Sequence, residues 1–400
     1  LSWDGHEENP NSTESGQGTR MNVVVVGFNF SLIGGLEIVS KAIAAAAATR
    51  NRVRCVALSE SGIVQEQGFE IVGLAPSTRV MRSLAYRLPS LFPPADLRSH
   101  ITDADAVIFA HAHTLKSALP LIQAMGKRPA TACWLHGREV WGGAGHEYAP
   151  YLRQVDRLVS VSHHTADVVA GLMPGHMRAE VIHNPVDPTV FYPADPATGE
   201  QVRRFSILTV GRHDADSFHK GYDTLIEAMS LLRDRRPDLP LTLTITGTGE
   251  LLSRHRESIK QRSLGDRVLL AGRVSRSELG KLYRTSDIFA FPSRVAHHRG
   301  EEYGEGFGVV NVEAAACGRP VVTSTHGGCP ETVIDGETGF AVDPTAAEPV
   351  AAAIERLFDM SEEARDEMGR RGRRMVVERF SSACFRERVL TLLESMCRFP

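Results

Sequence analysis

The stretch SDIFAFPSRVAHHRGEEYGEGFGVVNVEAAACGRPVVTSTHGGCPETVIDGETGFAVD, residues 286–343, decides how the chain is read. It opens on Ile288–Phe291, a short apolar run stopped by Pro292, which reads as a buried strand. A polar, glycine-punctuated loop follows and ends in Glu305-Gly306-Phe307-Gly308. The next residues, from Val309 to Cys317, have helical composition, and Gly318 stands where helices commonly stop. A helix entered through Gly-x-Gly offers unpaired backbone N–H groups and the positive end of its dipole, ground suited to a diphosphate. The two glycines allow close approach of that backbone to a ligand.

Glu305 lies in the loop and Glu313 about two helical turns further on, so both face one cavity only if the helix points at it. Carboxylates accept hydrogen bonds from vicinal hydroxyls, and a pair flanking a diphosphate site suggests a sugar nucleotide, one Glu holding the ribose and the other the transferred sugar. The plain alternative is that two glutamates sit on a solvated face.

Glu305-Gly306-Phe307-Gly308, seven residues between Glu305 and Glu313, then Ala314, Cys317-Gly318-x-Pro320-Val321-Val322 and Gly327-Gly328-x-Pro330-Glu331 closely resemble the signature of glycosyltransferase family four. The resemblance implies an α/β chain of the GT-B fold, two Rossmann-like doubly wound parallel-sheet domains facing across a cleft. It also implies retaining transfer from a nucleotide sugar, with Gly306, Phe307, Gly308, Val309 and Glu313 on the donor.

Length and composition agree with that frame. Four hundred residues exceed what one hydrophobic core usually holds, and 42% apolar with 23% charged residues is ordinary for a soluble globular protein. A net charge of −3 gives no sign of a nucleic-acid partner. The six cysteines show no close C-x-x-C pair, as in a reduced cytoplasmic protein. No stretch approaches the roughly 20 apolar residues of a membrane span. High Ala and Arg content suggests a GC-rich bacterial genome. The polar residues 1–20 read as a disordered leader and Met21 as the start of the fold. Residues 21–190 are expected to form an acceptor-binding domain and 200–375 a nucleotide-sugar-binding domain, with 376–400 a helix crossing back to the first.

Along the chain, Asn22–Val26 followed by Gly27 looks like the first strand of a doubly wound sheet, and Ile38–Ala48 like a helix. Gly34-Gly35 lies between them. Two glycines there simply permit a tight turn; the resemblance implies a loop closing over the donor diphosphate or the acceptor. Strands are expected at 52–58, 106–110 and 130–135, with ligands at their carboxyl ends. His111, His113 and His136 fall at such ends. No acidic or cysteine partner follows His111 and His113 at ligand spacing, so neither reads as a metal ligand. His136, in a His-Gly pair, resembles the family residue lining the donor sugar, and Arg138 and Glu139 share its loop.

The run Arg79–Leu88 is apolar on one side with interleaved arginines. A solvated helix of the acceptor domain is the favoured reading; a basic helix lying on an anionic membrane is the other. Ser160-Val161-Ser162 resembles the strand end that opens the last helix of the family's first domain. Asn184-Pro185-Val186-Asp187 resembles the family hinge, with proline in place of the usual glycine.

Phe205–Val210 reads as a strand leading to Gly211-Arg212, and Lys220-Gly221 precedes a helix. Two cations at such a junction suit a diphosphate, Arg as a fork of donors and Lys as a point charge. The resemblance implies that Arg212 and Lys220 stabilise the leaving diphosphate in place of a bound metal. The loop between them contains Asp214-x-Asp216, a weak cation-binding pattern. Val274 is implied as a main-chain contact to the nucleotide base.

The expectation is a retaining transferase moving a hexose-type sugar from a nucleoside-diphosphate sugar, UDP ahead of GDP, to a hydroxyl of a glycan, lipid or secondary metabolite. Arg212, Lys220, Glu305 and His136 would carry the chemistry, without cofactor or essential metal. A nucleotide-sugar epimerase and a catalytically silent nucleotide-sugar-binding protein are the alternatives. The expected location is cytoplasmic, with peripheral membrane contact left open.

Overall fold

A computed structural model of the chain describes residues 20–30, 34–66, 68–75, 96–194 and 204–397. The first sheet is built from β1 (Asn22–Gly27), β2 (Arg52–Ala57), β3 (Ser61–Glu66), β4 (Phe69–Leu74), β5 (Ala106–Phe109), β6 (Ala130–Leu135), β7 (Arg157–Ser160) and β8 (Glu180–Val181), ordered β3-β4-β2-β1-β5-β6-β7-β8. The valine run of β1 lies between β2 and β5 with Val23–Val26 buried, as expected where both faces of a parallel sheet are covered. Around the sheet lie α1 (Gly35–Ala48), α2 (Leu97–Ile101), α3 (Leu115–Gln123), α4 (Gly142–Leu152) and α5 (His163–Leu172). The alanine-rich α1 buries Val39, Ile43, Ala44, Ala46 and Ala47.

One strand departs from the all-parallel expectation. β3 pairs antiparallel with β4 at the sheet edge, and all six of its residues are exposed, Ile63 and Val64 included. Solvated on both faces, it has none of the alternation that marks a half-buried strand.

The second sheet is wholly parallel. It comprises β9 (Phe205–Val210), β10 (Leu241–Thr246), β11 (Val268–Gly272), β12 (Ile288–Phe291) and, beyond the two short strands β13 (Ala296–His298) and β14 (Glu301–Tyr303), β15 (Val321–Ser324) and β16 (Gly339–Val342). The order is β11-β10-β9-β12-β15-β16, while β13 and β14 form a separate antiparallel hairpin. Its helices are α6 (Tyr222–Arg235), α7 (Leu252–Gln261), α8 (Arg276–Thr285), α9 (Val309–Ala316), α10 (Ala347–Asp359) and α11 (Glu362–Arg379). Ser275 and Glu278 form a reciprocal capping box that fixes where α8 begins, just after Val274.

The chain passes between the sheets twice, and the two passages are stitched together. Val186 donates its N–H to the Phe380 carbonyl at 2.8 Å, and Ser382 donates its own to the Val186 carbonyl at 3.1 Å. The last helix, α12 (Ser382–Cys397), then packs on α1 of the first half, where Arg50 pairs with Glu394 at 3.2 Å. An apolar cluster runs from the first sheet through Phe307, Phe380 and Phe385 into the second. No helix among the described residues is long and apolar enough to cross a membrane. Most of the expected leader and the Arg79–Leu88 segment lie outside the described residues, as do Ser31–Ile33.

Candidate active site

The loops leaving the carboxyl ends of β6 and β12 meet where the two halves face one another. Gly306 packs so closely on the His136 carbonyl oxygen that a methyl group on its Cα would collide with it. This approach requires the missing side chain, since the glycine's own backbone is not left-handed. Gly308 is different: it caps α9 with φ +89°, a conformation costly for any residue with a Cβ.

Lys220 and Glu305, 85 residues apart in sequence, form an ion pair here. Their side chains keep only 14% and 19% of their exposure, and His219 Nε2 lies 3.5 Å from the same carboxylate oxygen. Burial would raise the Glu305 pKa, but the Lys220 charge and the His219 contact outweigh it and hold the group at about 2. The carboxylate is therefore ionised throughout the working range. The Glu305 backbone carbonyl accepts the Gly328 N–H at 2.9 Å, which folds the Gly327-Gly328 turn onto the same loop.

Glu313, on α9, is half-buried and accepts the Tyr283 hydroxyl at 2.9 Å. Burial dominates its titration and pushes it up to about 7, against the opposing pull of Tyr283 and Arg276. A carboxyl whose folded pKa exceeds its unfolded value adds stability in full below the unfolded pKa, near 4.3, and that contribution is lost as pH rises through 7. Glu313→Gln is therefore expected to be more stable than the parent at pH 8, by on the order of 2 kcal/mol, with the gap narrowed several-fold at pH 5. Melting temperatures of the donor-free protein at the two pH values check this; a constant offset would show that Glu313 does not titrate there.

The remaining sites expected from the sequence are placed as follows. Arg212 reaches into solvent with 76% of its side chain exposed and pairs with Asp214 at 2.8 Å. Asp216, the other acid of the Asp-x-Asp pattern, binds Arg138 of the first half at 2.7 Å, so the two carboxylates serve different arginines. The Phe307 ring is committed to the core between His183 and Phe380, at 5.3 and 5.5 Å; what remains for a ligand is its backbone. Gly34 caps α1 and Gly35 starts it. Val274 is half-buried at the mouth of α8, and Val309 is the first residue of α9.

His136 stacks on His111 and places Nε2 2.8 Å from the Ala110 carbonyl. That bond needs the proton on Nε2, so in the neutral ring Nδ1 is the acceptor. Glu139 is buried and takes the His136 N–H at 2.5 Å. Its part is to hold the His136 loop. Burial drives the His111 pKa down to about 3, so that ring is neutral.

Sequence reasoning missed the clamp around Arg138. This guanidinium lies 4.0 Å over the Tyr303 ring and 3.8 Å from Glu301, both on β14, in addition to Asp216. The β13–β14 hairpin reads in sequence as a loop because its turn uses Arg299 and Gly300, both left-handed at φ 53° and 79°, where Asn-Gly is the usual signal. Each contact is half-exposed and worth about 0.5–1 kcal/mol. Arg138→Ala is expected to loosen the closed cleft, raising the radius of gyration in solution scattering and the donor KM by several-fold; unchanged scattering would show that the clamp holds nothing shut.

Comparison with known proteins agrees with this architecture. Residues 33–190 match the family model described as Glycosyltransferase Family 4, and residues 195–375 the one described as Glycosyl transferases group 1. The chain is 32% identical over 266 residues to D-inositol 3-phosphate glycosyltransferase of Paenarthrobacter aurescens, an alignment covering 64% of this chain and 60% of the relative. It is 31% identical over 267 residues to the GDP-mannose-dependent alpha-(1-6)-phosphatidylinositol monomannoside mannosyltransferase of Mycolicibacterium smegmatis, covering 64% and 68%. Among solved structures, sucrose-phosphate synthase from Thermosynechococcus elongatus superposes with a TM-score of 0.77 at 21% identity, covering 94% of this chain and 99% of that one. Anabaena HepE in complex with UDP and glucose superposes with a TM-score of 0.74 at 17% identity, covering 94% and 100%. With matched family models in both halves and this architecture, the chain belongs to glycosyltransferase family 4 and has the GT-B fold.

Proposed function

We propose that the chain is a retaining transferase that moves a hexose from a nucleoside-diphosphate sugar to a hydroxyl of a polyol-type acceptor. The observation that carries this reading is the Lys220–Glu305 pair, set where Gly306 closes against the His136 loop. An ammonium has three donors, so Lys220 can keep Glu305 and still hold a phosphate oxygen. Arg212, on its exposed arm, would exchange Asp214 for the diphosphate. With the start of α9, these cations would stabilise the charge that grows as the bond from the sugar's C1 to the leaving diphosphate breaks. Glu305 would accept from hydroxyls of the sugar, ionised Glu313 from the ribose, and His136 Nδ1 from the sugar beside the breaking bond.

Transfer with retention would follow front-face attack. The acceptor oxygen bonds to C1 on the side the diphosphate leaves, and the acceptor's proton passes to the departing phosphate oxygen. On the acceptor side, a cavity of about 330 Å³ lies at the carboxyl end of β1, lined by Asn29, Glu37, Ser40, Ser59 and His111 among others. Such a set can hydrogen-bond several hydroxyls at once.

Several of the sequence relatives, the Mycolicibacterium smegmatis mannosyltransferase among them, are GDP-mannose-dependent by name, which moves GDP ahead of the UDP preference read from sequence. A panel of GDP-, UDP- and ADP-sugars is the direct test. The true donor at one hundred times its Kd should stabilise the protein by about 2.7 kcal/mol, seen as a rise in melting temperature. Incubation with that donor alone should give at most slow hydrolysis, whereas an epimerase would convert it. No shift with any nucleotide sugar would overturn the proposal.

A further inference from the structure

Away from the Lys220–Glu305 pair, three side chains from three parts of the chain converge. His163 is the first residue of α5 in the first half, His183 lies in the crossing stretch after β8, and Glu331 belongs to the second half. One donor atom from each lies within 4.8 Å of the other two. We infer that His163, His183 and Glu331 form a site for a divalent transition ion of the zinc class, which ties the two halves together in their closed arrangement.

The donor set sets the choice of ion. Two imidazole nitrogens and one carboxylate oxygen suit zinc and its first-row neighbours, whereas magnesium and calcium take oxygen ligands almost alone. Zinc sits about 2.0–2.1 Å from such donors, which places tetrahedral ligand atoms roughly 3.4 Å apart. The spacing seen here, within 4.8 Å, must therefore close by about 1.4 Å at most. His163 makes that adjustment at little cost, being exposed, and its ring already lies 5.9 Å from that of His183. Partial exposure leaves a fourth position for water.

Glu331 is held in place before any ion arrives. Its two oxygens accept the backbone N–H groups of His163 at 2.9 Å and His164 at 3.1 Å, and Oε2 also meets His183 Nε2 at 2.9 Å. The backbone bonds orient the carboxylate as outer-shell partners orient metal ligands elsewhere. An ion would replace only the His183–Glu331 hydrogen bond. Because the ligands come from both halves, the cleft cannot open without breaking a metal bond, and exchange of donor and product needs opening. Zinc at this site is therefore an inhibitor of turnover, distinct from any metal on the diphosphate.

Zinc sulfate titrated into the full chain, free of any affinity tag and of donor, tests the site. Calorimetry, or competition with a chromogenic chelator, should show an equivalent whose affinity falls at least about tenfold in His163→Ala. His163→Cys, which keeps a zinc-ligating side chain, should recover it. Zinc that slows transfer in the parent should leave His163→Ala unaffected, while the zinc-free rates of the two agree. Equal zinc affinity in parent and His163→Ala, or equal inhibition of both, would overturn the proposal.

Discussion

Lys220→Ala is expected to lower the rate of sugar transfer by about 10²–10³-fold, the usual loss when one preorganised donor to a developing negative charge is removed. The same change strips Glu305 of its main counter-charge in a site that retains little solvent. Removing one partner of a buried pair costs on the order of 3 kcal/mol, less here because both side chains keep some exposure. The two effects separate in the double variant Lys220→Ala/Glu305→Gln. Taking away the stranded carboxylate should recover melting temperature without recovering transfer. If transfer returned along with stability, Lys220 would be a structural counter-ion and the proposed mechanism would lose its electrophile.

Gly306→Ala is expected to cost about a hundredfold in kcat with little change in melting temperature. Its methyl would meet a backbone carbonyl, that of His136, which cannot swing away as a flexible side chain could. The halves can relieve the clash only by parting more than about 1 Å, and a misplacement of about 1 Å is already enough to cost about 10²-fold in a reaction that depends on alignment. Stability should hold because each half keeps its own sheet and helices. Kinetics, melting temperature and solution scattering on one preparation decide the matter. Full activity in Gly306→Ala would mean that the closed contact seen here is not the reacting geometry.

Much of the architecture was legible because it rests on local rules. The valine run of β1, the alanine-rich α1 and the Pro292 stop after β12 declare themselves through composition and backbone restriction. The β3 edge strand and the β13–β14 hairpin did not. One is solvated on both faces, and the other turns on Arg299, a residue that rarely accepts a left-handed backbone. At the site, Glu305, Lys220 and the glycines around α9 could be singled out from motif spacing. The Phe307 ring could not be assigned to the core, because nothing near it in sequence shows that His183 and Phe380 enclose it.

Residue order was enough for two doubly wound sheets, the glycine-lined entry to α9 and the family, since turns, helix starts and strand periodicity are written within a few neighbouring positions. The fold alone settled which charges meet: Lys220 with Glu305, Arg138 with Asp216 and Tyr303, Glu331 with His163 and His183. Those pairings form between segments distant in sequence, once the sheets have packed and the chain has crossed between them twice. The same packing lifts the Glu313 carboxyl to about 7 and holds that of Glu305 at about 2. Two like residues acquire opposite titration because desolvation and charge act through space.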